Sequence, residues 1–248
     1  MTLELSGLEV PDFQPLYAQV KGLILQRIID GDWKPDEVLP SEFKLADLFG
    51  VSQGTVRKAL NDLAVENVVI RKQGQGTLVA TNNPQRELFH FIQMTDQEGT
   101  RQLPTSSHVL KCQKERASED DLTRLKLRRG AEIIRIERVR TLGEKTAIIE
   151  TIVLPARLFP GLEAGGGVNV PHALYQHYQD GYAVTIHRVE EALRAVTADP
   201  QDAELLGLAP KHPLLEIDRV AISLDGKPVE WRTTRCDTRD TQYVSSLV

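Results

Sequence analysis

Apolar side chains recur every three or four residues from position 17 onward, and this spacing predicts an amphipathic helix that follows Pro15 and ends near Gly31. Its inward-facing positions are Tyr17, Val20, Ile24 and Ile28. The stretch LPSEFKLADLFG predicts a second helix, because Ser41 is suited to cap its first turn and Gly50 to close its last. The apolar face of this second helix comprises Leu45, Leu48 and Phe49.

A third helix is predicted almost immediately afterwards, with only Val51 before its cap at Ser52. Its spacing turns four apolar positions inward and leaves a polar set outward: inward Val56, Ala59, Leu60 and Leu63, outward Gln53, Thr55, Arg57, Lys58 and Asn61. Two short strands, VVIRKQ and TLVA, then flank Gly74 and Gly76, which permit a tight hairpin with positive φ. The order predicts a helix-turn-helix followed by a β-hairpin.

The rest of the chain has the periodicity of strands. The segments EIIRIERVRTL, KTAIIETIVLP, AVTIHRVEEALRAV, PLLEIDRVAISL and KPVEWRTTRC are rich in β-branched residues and alternate in polarity, as strands do. The run TNNPQRE has the composition of a linker, and Pro84 interrupts any regular element. We therefore expect a helical first domain at residues 1–80, a linker at residues 81–87 and an α+β domain at residues 88–248.

This second domain contains an internal duplication. Aligning ASEDDLTRLKLRRGAEIIRIERV with ADPQDAELLGLAPKHPLLEIDRV superposes Asp121 on Asp202 and Arg138 on Arg219. Each copy predicts a short capped helix, a turn and a strand that ends in Arg-Val, followed by a glycine turn and another strand. Two such units can pair into one sheet with a cleft between them, and small ligands usually bind in such clefts.

Composition narrows the class of protein. The 248 residues are 41% hydrophobic and 26% charged, with a net charge of −5; this balance argues against indiscriminate nucleic-acid binding, which requires many cations. No signal peptide or membrane-spanning stretch is evident, so we expect a soluble cytoplasmic protein without a membrane partner. Cys112 and Cys236 are far apart and the six histidines are scattered. We expect no disulfide, no metal site and no cofactor.

The polar edge of the third helix and the basic hairpin are chemically suited to DNA. Gln53 can pair with a base edge, Arg57 can bind guanine or phosphate through two hydrogen bonds, and Thr55 can donate to phosphate. Isolated surface charges are usually only solvated, but the order of these elements favours a DNA-binding edge. The candidate DNA-binding residues are Ser41, Ser52, Gln53, Thr55, Arg57, Lys58, Arg71, Lys72, Gln73, Gly74 and Gly76.

The segments LPSE, VS..TVR.AL and GQGT give the first third of the chain a resemblance to the winged helix-turn-helix of GntR-family bacterial transcriptional regulators. The resemblance implies that Thr55 and Arg57 contact DNA from the recognition helix and that Gly76 lies at a wing tip in the minor groove. The chain departs from the family at three positions. Gln53 replaces a commoner arginine, while Phe43 and Asp36 replace a charged residue and a glycine.

The second domain resembles the UTRA ligand-binding domain of the HutC subfamily, whose fold is similar to chorismate lyase, through ERVR, ETIVLP.RLFPGL, RVEEALRAV and GKPVEW.TTRCD. The resemblance implies an effector site drawn from Arg138, Arg140, Glu150, Glu230 and Arg235. Two arginines that alternate on one strand face can converge on a carboxylate or phosphate, and carboxylates can accept protons from ligand hydroxyl or amine groups. The alternative is that these charges only pair with one another.

Together these patterns predict a sequence-specific transcriptional regulator, in the first place a repressor. We expect a homodimer on a pseudo-palindromic double-stranded operator, controlled by a small anionic metabolite, with residues 81–87 as the hinge. Two other classes stay open: an effector-independent DNA-binding protein whose second domain only dimerises, and a chorismate-lyase-like enzyme. Because no Ser-His-Asp or Cys-His spacing supports catalysis, we expect no enzymatic activity and assign no catalytic residue. Activation in place of repression also stays open.

Overall fold

The computed structural model of the protein describes residues 14–81, 94–167 and 170–245. The chain divides into two compact units, residues 1–80 and residues 81–248. Residues 82–87 of the predicted linker and Leu88, the predicted first residue of the second domain, lie outside the described residues, so the linker stays a prediction.

The first unit consists of three helices followed by a hairpin. Its elements are α1 (Leu16–Ile29), α2 (Glu42–Phe49), α3 (Gln53–Val65), β1 (Val69–Lys72) and β2 (Gly76–Val79). The two strands are antiparallel, and Lys72 pairs with Gly76, so three residues form the turn. Val38 adds an isolated antiparallel bridge to Leu78 on the other side of β2. The predicted helix-turn-helix with a hairpin is present.

Both predicted serine caps form. The Ser41 hydroxyl accepts a hydrogen bond from the Lys44 amide at 3.3 Å, and the Ser52 hydroxyl accepts one from the Thr55 amide at 3.1 Å. Gly50 closes α2 in the left-handed conformation, with φ of 64°. These caps define the ends of the helix-turn-helix and therefore the direction in which α3 projects its first residues.

The predicted apolar face of α2 is wrong at one position. Leu45 and Ala46 are buried and Phe49 is half-buried, but Leu48 is 52% exposed. At about 100° per residue, Leu45, Ala46 and Phe49 form one stripe, and Leu48 lies roughly 100° away from its centre. The inward positions predicted for α3 are all buried.

The second unit is built around one six-stranded antiparallel sheet. Its strands are β4 (Pro104–Arg116), β5 (Glu132–Leu142), β6 (Lys145–Pro155), β7 (Ile186–Thr197), β8 (Pro213–Ser223) and β9 (Pro228–Cys236), in the spatial order β4-β5-β6-β9-β8-β7. Strands β3 (Met94–Thr95) and β10 (Gln242–Tyr243) form a separate two-stranded sheet. The helices are α4 (Glu119–Arg124), α5 (Leu174–Tyr182) and α6 (Pro200–Leu206), with a 3₁₀ turn at Ala156–Leu158. The fold is α+β, as predicted.

The internal duplication determines this strand order. Each copy supplies three strands and one short helix, and β6 pairs with β9 where the two copies meet. The helices α4 and α6 each start with a capping box, formed by Ser118 with Asp121 and by Asp199 with Asp202. The order of strands is therefore symmetric about the β6–β9 pair.

The two faces of the sheet bury different partners because side chains alternate along a strand. Leu125, Ile133, Val153 and Trp231 form one cluster on the face that carries α4. The neighbouring positions Ile134 and Ile136 point to the opposite face, where they pack in a larger cluster with Phe159, Leu174, Tyr175 and Tyr178 around α5. This second face also carries most of the buried charge described below.

Asp121 joins α4 to the sheet through hydrogen bonds on both carboxylate oxygens. It is fully buried and accepts from the Ser118 amide at 2.8 Å, from the Trp231 indole at 3.0 Å and from Arg135 at 2.9 Å. Burial disfavours the charged form, but the hydrogen bonds from Ser118 and the charge of Arg135 outweigh it. The pKa of Asp121 is therefore below its ordinary value.

We predict that Asp121→Ala lowers the free energy of unfolding of the second unit by about 2–4 kcal/mol at pH 7, because it leaves buried donors without an acceptor. Because the folded-state pKa is lowered, this stabilisation is present above the ordinary pKa and is lost as the pH falls through the folded-state value. The difference between the two proteins should shrink below about pH 4. Urea unfolding followed by Trp231 fluorescence in a Trp33→Phe background measures it.

Asp120→Ala is the matched control, since the Asp120 side chain is 62% exposed and pairs only with Arg124 among the described residues. It should change the free energy of unfolding by less than about 0.5 kcal/mol. Equal effects of the two substitutions would show that the buried hydrogen bonds of Asp121 do not stabilise the unit.

Candidate nucleic-acid interface and buried charge cluster

The N-terminal end of α3 presents the polar residues that the sequence singles out. Gln53, Arg57 and Lys58 are exposed, and Thr55 is half-buried. The hydroxyls of Ser52 and Thr55 lie 2.9 Å apart and share a hydrogen bond. The first turn of α3 therefore has a fixed arrangement of hydroxyl and amide groups beside an exposed guanidinium, which suits contacts with phosphates and base edges.

Glu42 connects this helix to the hairpin, and the sequence analysis did not single it out. Its carboxylate accepts from Arg57 of α3 at 2.9 Å and from Arg71 of β1 at 3.2 Å. Partial burial disfavours the charged carboxylate, but the two guanidiniums outweigh burial and lower the pKa of Glu42. One carboxylate thus holds the two arginines at the same edge. Only its place in the LPSE motif signals it in the sequence.

The hairpin forms the second part of this edge. Gly74 and Gly76 have φ of 77° and 98°, so both occupy the left-handed region that the sequence analysis expects of them. Lys72 and Gln73 are exposed beside the turn. A hairpin turn with two glycines and a neighbouring lysine is suited to approach a phosphate backbone closely.

Lys58 contacts an aromatic ring and a carboxylate of its own unit. Its ammonium lies 4.1 Å from the centre of the Tyr17 ring and 3.7 Å from the Asp62 carboxylate.

Asp36, at a position where the resembling family has glycine, has φ of 63°, which explains the glycine preference. The hydroxyl of Ser41 is used by the cap of α2.

The second candidate site is a charge cluster on the α5 face of the sheet, near the β6–β9 pair. We define the cluster as Arg138, Arg140, Arg219, Arg232, Glu150, Glu191 and Glu230; all but Glu191 are buried. Four of the five predicted effector residues therefore lie in the cluster: Arg138, Arg140, Glu150 and Glu230. The cluster also contains Arg219, Arg232 and Glu191, none of which was predicted to bind effector.

Glu150 is the centre of the cluster. It accepts from Arg138 at 2.6 Å and from Arg232 at 2.9 Å, and Arg140 lies 3.8 Å away. Burial favours a neutral carboxyl, but the charges of three arginines outweigh it and hold the pKa of Glu150 well below its usual range. Glu150 therefore carries a full negative charge inside the domain.

The Glu230 carboxylate accepts hydrogen bonds from an arginine and from two tyrosines. Arg232 binds it through two hydrogen bonds of 3.0 Å each, while the hydroxyls of Tyr175 and Tyr178 donate to it at 3.1 Å and 2.7 Å. Burial and the negative charge of Glu230 raise the pKa of both tyrosines. The tyrosines therefore stay protonated and act as donors.

The far side of the cluster reaches strand β7. Arg219 donates to Glu191 at 2.7 Å, and the Tyr243 hydroxyl donates to the same carboxylate. Arg219 is the repeat partner of Arg138 in the internal alignment, and its ion pair with Glu191 fits a structural role. Burial disfavours the charged form of Arg219, but Tyr175 and Glu191 outweigh burial and raise the pKa of Arg219 above its ordinary value.

The cluster has more positive than negative charge, since it holds four guanidiniums and three carboxylates. Arg138 is fully buried, yet its Nη2 atom makes no hydrogen bond within the part of the chain that the structure describes. Nearby, a cavity of about 30 Å³ is lined by Arg140, Glu150, Arg219, Thr234 and Tyr243, among others. That volume holds about one water molecule. A larger anion would require side chains to move.

His172 faces the positive side of this cluster. Its Nε2 atom lies 3.2 Å from the Arg140 guanidinium, and because arginine only donates, the ring nitrogen accepts. Burial and the charges of Arg140 and Arg138 lower the pKa of His172. The ring is therefore neutral at pH 7 and leaves the excess positive charge unchanged.

Arg235 does not join the cluster, contrary to the sequence-based expectation. It donates to Asp202 at 2.8 Å and to Glu216 at 3.0 Å, whereas Thr234 and Cys236, its neighbours in β9, line the cavity. Side chains alternate along a strand, so Arg235 points to the opposite face. It connects the sheet to α6 and does not face a ligand at the cluster.

Two other kinds of function find no support among the described residues. Within residues 14–81, 94–167 and 170–245, no three His, Cys, Asp or Glu side chains are arranged to hold a metal ion. In those same ranges, no helix has the length and apolar character needed to cross a membrane.

Two family models match separate parts of the chain. Residues 16–79 match the bacterial regulatory proteins of the gntR family, and residues 100–241 match the UTRA domain. The HTH-type transcriptional repressor NagR of Bacillus subtilis (strain 168) is 28% identical over 219 residues, covering 87% of this chain and 88% of NagR.

A second curated relative and a solved structure are also similar to this chain. The histidine utilization repressor of Pseudomonas putida is 28% identical over 206 residues, covering 83% of this chain and 81% of that protein. The crystal structure of the ligand-binding domain of a protein proposed to be a GntR-family regulator, from Bordetella bronchiseptica, has a TM-score of 0.60 at 30% identity. It covers 64% of this chain and 98% of that chain.

We predict that Glu150→Gln lowers the free energy of unfolding of the second unit by about 3–5 kcal/mol, because three arginines lose a buried counter-charge. The unfolding assay with Trp231 as reporter measures this change. Glu137→Gln is the control on the paired strand, since the Glu137 side chain is 31% exposed and lies 3.9 Å from Lys111. It should have an effect below about 1 kcal/mol. A similarly small effect of Glu150→Gln would contradict the picture of a cluster held together by this charge.

Proposed function

The chain belongs to the gntR family of bacterial regulatory proteins and carries a UTRA domain, and from this membership we propose a transcriptional repressor whose operator affinity is controlled by an anionic metabolite. The protein is a DNA-binding regulator and not an enzyme, like the relatives it matches. The inference that the effector is anionic rests on the excess of buried positive charge in the cluster. We place the protein in the cytoplasm, where such a regulator meets DNA.

The DNA contacts proposed here come from the edge formed by α3 and the hairpin. Arg57 and Arg71 are available to phosphates or guanines when they exchange the Glu42 carboxylate for DNA. Gln53 and Thr55 lie at the start of the helix, the part of a recognition helix that reaches base edges. Lys72, Gln73 and the two glycines of the hairpin supply the wing contact. Ser52 and Ser41 contribute through the capped helix ends.

We propose that the protein acts as a homodimer. Two copies of the α3 edge would then read half-sites of a pseudo-palindrome about one helical turn apart. The net charge of −5 makes strong non-specific DNA binding unfavourable, so a paired set of specific contacts has to supply the affinity. Residues 81–87 would be the hinge that sets the spacing of the two edges.

The effector proposed here is a small molecule with a carboxylate or phosphate. Arg138 and Arg140 would bind its anionic group, with Glu150 and Glu230 available for hydroxyl or amine groups. The histidine utilization repressor is named for a carboxylate-bearing metabolite, which supports this class. Control follows from linkage: an effector that prefers the conformation with mis-spaced DNA-binding edges weakens DNA binding, and DNA weakens effector binding by the same factor.

Arg57→Ala should weaken binding to the operator by about 1–3 kcal/mol without changing the fold. The reason is the loss of a guanidinium that binds phosphate or base through two hydrogen bonds. Fluorescence anisotropy with duplex DNA from upstream of the protein's own coding region, against a scrambled duplex at near-physiological salt, measures the affinity. The circular dichroism spectrum checks folding.

Arg128→Ala provides the comparison, since it removes the same charge from an exposed loop of the second unit. It should leave the affinity for DNA unchanged. Operator binding by Arg57→Ala that equals that of the unaltered protein would remove Arg57 from the interface.

Arg138→Ala should still bind the operator but should not release it in response to effector, because the anion loses a buried cation. We would screen small carboxylates and sugar phosphates by thermal shift, where a ligand at 100 times its Kd stabilises the folded state by about 2.7 kcal/mol. Compounds that stabilise the unaltered protein are then tested for release of DNA from both proteins.

Arg235→Ala is the matched control, because Arg235 lies on the opposite face of the same sheet. It should keep the effector response. A normal response by Arg138→Ala would place the effector elsewhere. Stabilisation by no compound would favour a second domain that only dimerises.

A further inference from the structure

The two edges of the six-stranded sheet differ in how well they are protected against pairing with another strand. Strand β4 carries irregularities at Pro104/Ser106 and at Val109/Lys111, and its lysines add charge. Bulges and lysines are common devices that block edge-to-edge association. Strand β7 has only one irregularity, at Ile186/Arg188, and then pairs with β8 without interruption as far as Thr197.

The middle of β7 also has the composition of a strand that pairs. The segment IHRVEEALRAVT contains no lysine, proline or glycine. Ala192 and Ala195 are exposed, and Leu193 is 47% exposed. An uninterrupted edge with small and apolar side chains at its centre is a template for another strand.

The charges of β7 complement a second copy of the same strand. If two copies pair antiparallel about Ala192, Glu190 of each lies directly opposite Arg194 of the other. Opposite charges at such positions stabilise a strand pair. Glu190 is 61% exposed and Arg194 is 63% exposed, so both can reach a second copy, although within one copy Glu190 pairs with Arg188 and Arg194 with Glu216. Moving the centre to Leu193 would place Arg194 opposite Ala192 and remove both charge pairs.

We propose that β7 is the dimer interface, pairing antiparallel with β7 of a second copy about Ala192 so that two six-stranded sheets become one. This rests on the homodimer proposed above and gives it a surface and a register. Val189 then lies opposite Ala195, which adds two apolar pairs to the two charge pairs.

The position of β7 also connects the interface to the charge cluster. Glu191, one residue from the proposed two-fold axis, accepts a hydrogen bond from Arg219 at 2.7 Å and another from Tyr243. Arg219 lines the cavity together with Arg140 and Glu150. An anion that binds in the cavity and draws Arg219 from Glu191 therefore acts on a strand that both copies share.

Disulfide formation in the full-length protein tests the register directly. Ala192→Cys places two cysteines on the two-fold axis, where Cα atoms of an antiparallel pair are about 4.5–5.5 Å apart, within the range of a disulfide. Ala195→Cys is the matched control, because the two copies of that residue are six positions apart, roughly 20 Å. The native Cys112 and Cys236 are buried and do not compete.

The proposal expects a disulfide-linked dimer from Ala192→Cys under mild oxidation, and little from Ala195→Cys, by non-reducing electrophoresis. Light scattering of the unaltered protein distinguishes failure of the homodimer proposal from failure of the interface proposal. A monomer in solution would contradict both proposals, whereas a dimer in which Ala192→Cys does not cross-link would overturn the interface alone. Preferential cross-linking through Ala195→Cys overturns the register.

Charge exchange provides a second test that needs no disulfide. Glu190→Arg should raise the dimer dissociation constant at least tenfold, because the introduced guanidinium would face Arg194 of the other copy. Adding Arg194→Glu to the same protein should restore most of the affinity. Arg116→Glu on the opposite edge strand β4 should change nothing. A double variant as weak as Glu190→Arg would overturn the pairing of these two positions.

Discussion

The second domain depends on keeping buried charges paired. A carboxylate or guanidinium loses the stabilisation of water when it enters the protein interior, and only close counter-charges and hydrogen bonds offset that loss. Glu150 meets this condition through Arg138 and Arg232, and Glu230 through Arg232 and two tyrosines. Each carboxylate is therefore shared, and the strands β5, β6 and β9 are held in one register by the groups they share.

The duplication makes this arrangement possible, and its asymmetry gives the cluster a direction. Arg138 pairs across the sheet with Glu150, while its repeat partner Arg219 pairs across the sheet with Arg232. Glu150 and Arg232 therefore occupy equivalent positions in the two copies but carry opposite charges, and they form an ion pair where β6 meets β9. Because the other copy has alanine at the position equivalent to Arg140, the excess positive charge lies on the side of the first copy.

Local patterns predicted five of the six strands of the large sheet but not the edge strand β4, and they predicted individual tertiary contacts poorly. Strands β5 and β6 match the predicted segments residue for residue, because alternation and β-branched residues act locally. Arg235 could have been excluded from the sequence alone, since it is five positions from Glu230 and an odd spacing places two side chains on opposite faces of a strand. Glu42 could not have been found this way, because its partners Arg57 and Arg71 are distant in the chain and meet only in the folded unit.

The small cavity shows how such a cluster can act as a switch. With room for about one water, the cavity beside Glu150 leaves an anionic ligand little space, and Glu150 and Glu191 already occupy the guanidiniums that the ligand would bind. Binding is then an exchange, in which a ligand anion replaces internal carboxylates and these must find new partners. The free energy available for control is the difference between the two sets of pairings, not the full strength of either. Glu191 belongs to the edge strand β7, so this exchange extends beyond the cavity.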